Sequence, residues 1–201
     1  MNCIIKIVLG CLIFSSFIPV SLARNTQEAV DYILANDITS LDYWHQAGGN
    51  ANAIYEGAPL IYYALKDNTC HFMTLQSLIR NGAEINKPMC NNGLLPIYLA
   101  AQDRKGSLCF SYLAEHGADF NGEVVAIDQA TAPYDGYTVY NFAAEANNKS
   151  VIFWLYENGL SPFEQNRYGM DAIHTGVMRG HYKAFEPLLK HIYKSNNPKL
   201  K

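Results

Sequence analysis

One short phrase recurs along this chain and constrains its fold more than any other feature. Ala47-Gly48-Gly49-Asn50-Ala51-Asn52 returns as Asn81-Gly82-Ala83-Glu84-Ile85-Asn86, as His116-Gly117-Ala118-Asp119-Phe120-Asn121 and as Asn158-Gly159-Leu160-Ser161-Pro162-Phe163. The first glycines of these phrases are 34, 35 and 42 residues apart, a period of about 33 to 35 with one insertion. Self-similarity at that interval marks a unit that cannot bury its own apolar face and stacks on copies of itself. Before the later glycines, apolar residues fall at helical spacing: Phe72, Leu75, Leu78 and Ile79; Leu108, Phe110, Tyr112 and Leu113; Val151, Ile152, Trp154 and Leu155. A left-handed residue ends a helix at least steric cost, so Gly48, Gly82, Gly117 and Gly159 mark helix stops.

A second phrase falls between these stops. It reads Ala58-Pro59-Leu60-Ile61, Leu95-Pro96-Ile97-Tyr98, Thr138-Val139-Tyr140-Asn141 and Asp171-Ala172-Ile173-His174. Proline in a first helical turn wastes no amide, so Pro59 and Pro96 are expected to start helices. These steps resemble degenerate forms of the Thr-Pro-Leu-His step of the ankyrin-repeat family, and the glycine phrase is similar to that family's Gly-Ala-Asp-x-Asn exit. Ile173 through Gly180-His181 to Leu188-Leu189 resembles the family consensus throughout, and Ala100-Ala101 and Ala143-Ala144 sit where the family packs its inner helices closely. The resemblance covers roughly residues 27 to 192.

It implies an all-α repeat solenoid of helix–turn–helix units joined by β-hairpin loops, about four to five repeats counting the caps. The expected repeats run about 53–86, 90–121, 133–163 and 166–192, after an N-terminal capping repeat over 24–52. That cap contains a helix pair between Gln27 and Gln46 without the Pro-Leu step. The inserted stretch Gly122 to Tyr134 lengthens one hairpin, Pro187 should kink or shorten the last outer helix, and 193–201 is a basic, frayed tail.

The N-terminus reads differently. Lys6 is the only charge before a run from Ile7 to Val20 that is apolar apart from Gly10, Cys11, Ser15 and Ser16, and Ser21-Leu22-Ala23 offers small residues to a signal peptidase. Residues 1–23 are therefore expected to be a cleavable signal peptide cut after Ala23; the run is short for a membrane anchor, which needs roughly twenty apolar residues. Val8-Leu9-Gly10-Cys11 resembles a lipoprotein cleavage box but would leave a very short signal. Cleavage after Ala23 leaves Cys70, Cys90 and Cys109, so export allows a disulfide between two of these three, and spacing does not choose which.

Fifteen Lys plus Arg against eighteen Asp plus Glu provide no global positive field for nucleic acid or anionic lipid. The sequence offers no CxxC or Cys/His ligand spacing, no phosphate-binding glycine loop and no Gly-x-Ser-x-Gly elbow, so neither metal, cofactor nor catalysis is expected. The family resemblance makes His174 a tie between adjacent hairpins and His181 part of a Gly-His step; His45, His71, His116 and His191 read as solvated outer-helix or loop residues. Cys90, in an expected hairpin tip, has no histidine near it in sequence, and a reactive thiol needs a setting that stabilises the thiolate.

What remains is a surface. The family's partners dock on a concave face of hairpin tips and inner helices, which carries over here to Ile54, Tyr55, Asn91, Asn92, Leu94, Tyr134, Asp135, Tyr137, Arg167, Tyr168 and Met170, with Leu65, Lys66, Gln102, Asp103, Glu145, Met178 and Arg179 from the inner helices. Tyr, Met and Arg of this kind are enriched at interface centres. Tyr134, Tyr137, Arg167 and Tyr168 are the expected centre, and alanine at Tyr137 and Tyr168 should weaken binding with the melting point nearly unchanged. The expected function is that of an exported monomer, periplasmic or secreted, that neutralises or escorts a protein partner, as an immunity protein does for a toxin. A secreted factor binding a host protein and a periplasmic redox accessory using the cysteines are the alternatives.

Overall fold

A computed structural model describes residues 20–88, 94–125 and 134–196. The signal expected over 1–23 lies, for residues 1–19, outside the described residues, as do Cys90, Asn91 and Asn92, the middle of the insertion and residues 197–201.

Helices follow one another in pairs: α1 Val20–Leu34 with α2 Ile38–Gln46, α3 Leu60–Tyr63 with α4 Phe72–Arg80, α5 Pro96–Ala101 with α6 Leu108–Glu115, α7 Val139–Glu145 with α8 Lys149–Glu157, and α9 Ala172–Met178 with α10 Glu186–Asn196. Short 3-10 turns at Lys66–Asn68 and Tyr182–Ala184 join members of a pair. The expected cut after Ala23 falls inside α1. Among the described residues no helix is long and apolar enough to cross a membrane.

The four phrase glycines have φ of +93°, +84°, +90° and +89° at Gly48, Gly82, Gly117 and Gly159. Nothing lies within 4 Å of where a Cβ would stand on any of them, so backbone conformation alone selects glycine there. Pro96 occupies the first turn of α5, and Pro59 sits one residue before α3, closing a two-stranded antiparallel hairpin, β1 Ile54–Tyr55 and β2 Ala58–Pro59. Ile54 faces Pro59 and Tyr55 faces Ala58 in that ladder.

Pairs pack in chain order along two rows. The second helices touch in the sequence α2, α4, α6, α8, while α5 packs on α7 and α7 on α9. Leu41, Leu75, Leu78, Phe110, Leu113, Ile152 and Leu155 are fully buried along the second row. Aromatic contacts cross between pairs: Phe72 on Tyr112, Phe110 on Trp154, and Tyr98 stacked on Phe142 at 5.1 Å between ring centres. The disulfide joins Cys70, just before α4, to Cys109 in α6, with 5.8 Å between Cα atoms.

Asparagines stitch the exit loops. Asn52 Nδ2 donates to Gly82 O at 2.8 Å and its Oδ1 accepts from Glu84 N at 2.7 Å. Asn86 repeats this on Gly117 O and Asp119 N at 2.9 and 2.8 Å. Asn121 ends the third phrase but is not seen to reach the fourth; a groove of about 330 Å³ opens there, lined by Asn121, Glu123, Thr138, Tyr140, Leu160 and Glu164 among others. The insertion begins at this point, and Glu123 bridges Thr138 while Val124 N donates to Tyr137 O at 2.8 Å.

Three expectations change. Pro187 neither kinks nor interrupts an outer helix, because α10 begins at Glu186 after the 3-10 turn and the proline falls in its first turn. His174 bonds Asp171 Oδ1, its own helix cap, at 2.8 Å with a side chain 58% exposed, so it ties no adjacent hairpin. The tie is made by Asn141, at the same place in the preceding phrase: its Nδ2 donates to Asp171 O at 3.3 Å and to Thr175 Oγ1 at 2.9 Å. His45 and His71 are part-buried rather than solvated. His45 lies edge-on against Trp44, and burial lowers the pKa of both histidines.

Candidate functional site

The hairpins and first helices of the last two pairs bring together most of the sequence-predicted residues, in two groups with different roles.

The first group is a hairpin-to-hairpin tie. Asn166, buried, donates from Nδ2 to Gly136 O at 2.8 Å and accepts from the amides of Tyr168 and Met170 at 3.0 Å each, which sets the turn around Gly169. Arg167 then donates through Nε to Glu123 Oε2 at 2.8 Å and through Nη2 to Val124 O at 2.9 Å, and lies 3.7 Å from Asp135. The Tyr168 hydroxyl donates to Asp135, and that bond raises its pKa. Its ring lies so close to Gly136, at φ +74°, that a Cβ there would meet it at 2.7 Å. Arg167 and Tyr168 are thus largely occupied in holding the hairpin after Tyr168 to the one containing Tyr134.

Tyr134 and Tyr137 are similarly committed. Both are half-buried, packed on Phe142 of α7 with ring centres 5.1 and 5.5 Å away. Tyr55 is held by Gln27 and stands edge-on to Tyr63, and Leu94 is 9% exposed. The expectation that Tyr137 could be removed without cost to folding is therefore corrected: its ring is part of the packing. Gln102 and Met170 are half-buried at the same flank, and Asn92 lies outside the described residues.

The second group is open. Arg179, just past α9, pairs with Glu145 at the end of α7 across 2.6 Å, and its side chain stays 48% exposed. The Glu145 charge, and after it the Tyr137 hydroxyl, raise the pKa of the guanidinium and keep it protonated still more firmly. Burial, then the Glu145 charge, raises the Tyr137 pKa. Glu145 Oε2 is buried and has no hydrogen-bond partner among the described residues. Met178, the residue before Arg179, is 74% exposed, the highest value among the exposed large apolar side chains described. A fixed ion pair, a tyrosine hydroxyl and an exposed thioether make a surface suited to recognition.

Among the described residues no three His, Cys, Asp or Glu side chains are grouped to hold a metal ion.

The family profile described as "Ankyrin repeats (many copies)" matches residues 140–189. This stretch of the chain carries ankyrin repeats. The matched stretch runs from α7 into α10 and contains Glu145, Arg167, Tyr168, Met178 and Arg179. Ankyrin repeats are a protein–protein interaction module, and Glu145, Met178 and Arg179 of the open group lie within the matched residues. No curated protein matches the chain.

Sequence reasoning missed the interior asparagines. Asn148, 2% exposed, caps α8 by accepting from Val151 N at 3.1 Å and donates back to Gly106 O at 2.8 Å in the preceding pair. The signal was present: an Asn closes three of the recurring phrases, and Asn141 stands where the ankyrin step has His.

Proposed function

We propose that this ankyrin-repeat chain binds a protein partner at the Glu145–Arg179 surface, outside the cytoplasm, where it neutralises or escorts an exported protein in the manner of an immunity protein. The observation that carries the reading is the contrast within one flank. Arg167 and Tyr168 are spent on internal bonds, whereas the Arg179 side chain and Met178 are held at the surface beside a fixed carboxylate. A site already ordered by its own ion pair loses little freedom on binding. The Cys70–Cys109 disulfide supports an oxidising compartment, since such bonds persist outside the cytosol. The short apolar N-terminal run before Ala23 supports export by the same logic.

The test is affinity capture from a periplasmic extract under native conditions. A stoichiometric protein should be retained by the unaltered chain and lost with Met178→Asp and with Arg179→Ala. Recovery of no such protein, or equal recovery by the variants, refutes the reading.

A further inference from the structure

Apolar side chains are exposed at both ends of the row of helix pairs, and the two ends carry opposite charge. At the α9–α10 end, Asn141 of α7 bonds Thr175, so Thr175 faces backwards along the row. A helix turns about 200° in two residues, which points Val177 away from α7, where it is 57% exposed. The His191 ring meets Tyr156 of α8 with 5.9 Å between ring centres. Leu189 and Tyr193, two residues to either side, therefore point away from α8 and are 38% and 63% exposed. Tyr182 is exposed beside them, and Lys183, Lys190 and Lys194 are exposed around them. From Tyr182 to Lys201 there are five Lys against one Glu, in a chain of net charge −3.

At the α1–α2 end, α1 buries Ala29, Val30 and Ile33 and turns Glu28 and Asp31 outwards. Helix α2 buries Leu41 and Trp44 and turns out Tyr43, 67% exposed, and Leu34 at the end of α1 is 43% exposed. From Arg24 to Glu56 there is one Arg against five Asp and Glu.

We propose that the basic α9–α10 end of one copy docks on the acidic outward side of α1 and α2 of a second copy, head to tail. The position of Val177, Leu189 and Tyr193 is the one a following helix pair would cover in this stacking scheme, and opposite charge aligns the two ends. The contact uses different surfaces on the two copies, so it adds copies without a built-in stop. It leaves Glu145 and Arg179 outside the joint, and so stands apart from the partner surface.

Sedimentation equilibrium of the chain as isolated tests this. At low ionic strength the average mass should rise steadily above that of the monomer with concentration, and high salt should return it to the monomer. The variant Lys183→Glu/Lys194→Glu leaves the Glu186–Lys190 pair in place; it and Glu28→Lys/Asp31→Lys should each weaken association at least about tenfold. An equimolar mixture of the two should restore association, because each reversed end then meets a complementary one, while thermal melts show both folded. A monomer at every concentration overturns the proposal, as does association that both reversals leave intact or that mixing fails to restore. Capture of a monomeric chain on phosphatidylglycerol vesicles, lost in the double lysine variant, overturns it in favour of a membrane surface.

Discussion

Asn141 Nδ2 donates to Thr175 Oγ1 across 2.9 Å, joining α7 to α9 inside the core. The same side chain accepts from the Thr138 amide and hydroxyl at 2.8 and 2.9 Å, so one buried amide both caps its own helix and holds the next. Asn141→Leu should lower the free energy of unfolding by roughly 2–3 kcal/mol, because the buried Asp171 and Thr175 acceptors and the part-buried Thr138 donors lose their partner. Thr175→Val should cost about 1 kcal/mol, since Asn141 keeps the Asp171 carbonyl. Urea titration of both variants checks the order; equal, negligible losses would contradict it.

The Cys70–Cys109 bond closes a loop with a sequence separation of 39. Cys70→Ser/Cys109→Ala should lose about 3–4 kcal/mol, the range for loops of that size. A thiol reductant should lower the melting point of the unaltered chain and leave that of the variant in place.

Tyr137→Ala should destabilise the fold by roughly 2–4 kcal/mol, as loss of a packed aromatic ring does. Tyr168→Phe keeps the ring against Gly136 and removes only the bond to Asp135, an exposed interaction worth little. Its melting point should stay close to that of the unaltered chain, and a large fall would show the hydroxyl to be structural.

Arg179→Ala removes a half-exposed partner of Glu145, and the loss of folding free energy should be only about 1 kcal/mol after allowing for solvent screening. Partner affinity should fall at least about tenfold. Calorimetric titration and a melt on the same sample separate the two effects.

Burial depresses the pKa of His45 and His71 below the usual 6.5. For His45 the Gly49 carbonyl and Asp42 oppose that shift, and for His71 the Lys105 charge reinforces it. In the window below 6.5 and above the folded values, the unfolded chain binds more protons, so stability rises with pH there and falls as the solution is acidified. Melting points measured downward from neutral pH should drop, and His45→Gln/His71→Gln should flatten the slope.

The positions of the glycine stops and helix starts were legible because they depend on local backbone preferences. Gly82 at φ +84° and Pro96 in a first turn need no distant neighbour to be recognised. The site was half legible. Glu145, Met178 and Arg179 could be placed by their step in the repeat, but sequence put Arg167 and Tyr168 at the expected centre. What separated them was Glu123, Val124 and Asp135, whose position depends on how the insertion folds back.

The amino-acid sequence by itself determined the repeating unit, where each helix ends, and which faces must be buried, since periodic apolarity and left-handed glycines act over a few residues. Only the tertiary structure decided which cysteines meet, which asparagines cross from one pair to the next, and which tyrosines remain available. Those outcomes depend on distances between units, and spacing along the chain leaves such distances open until the units are stacked.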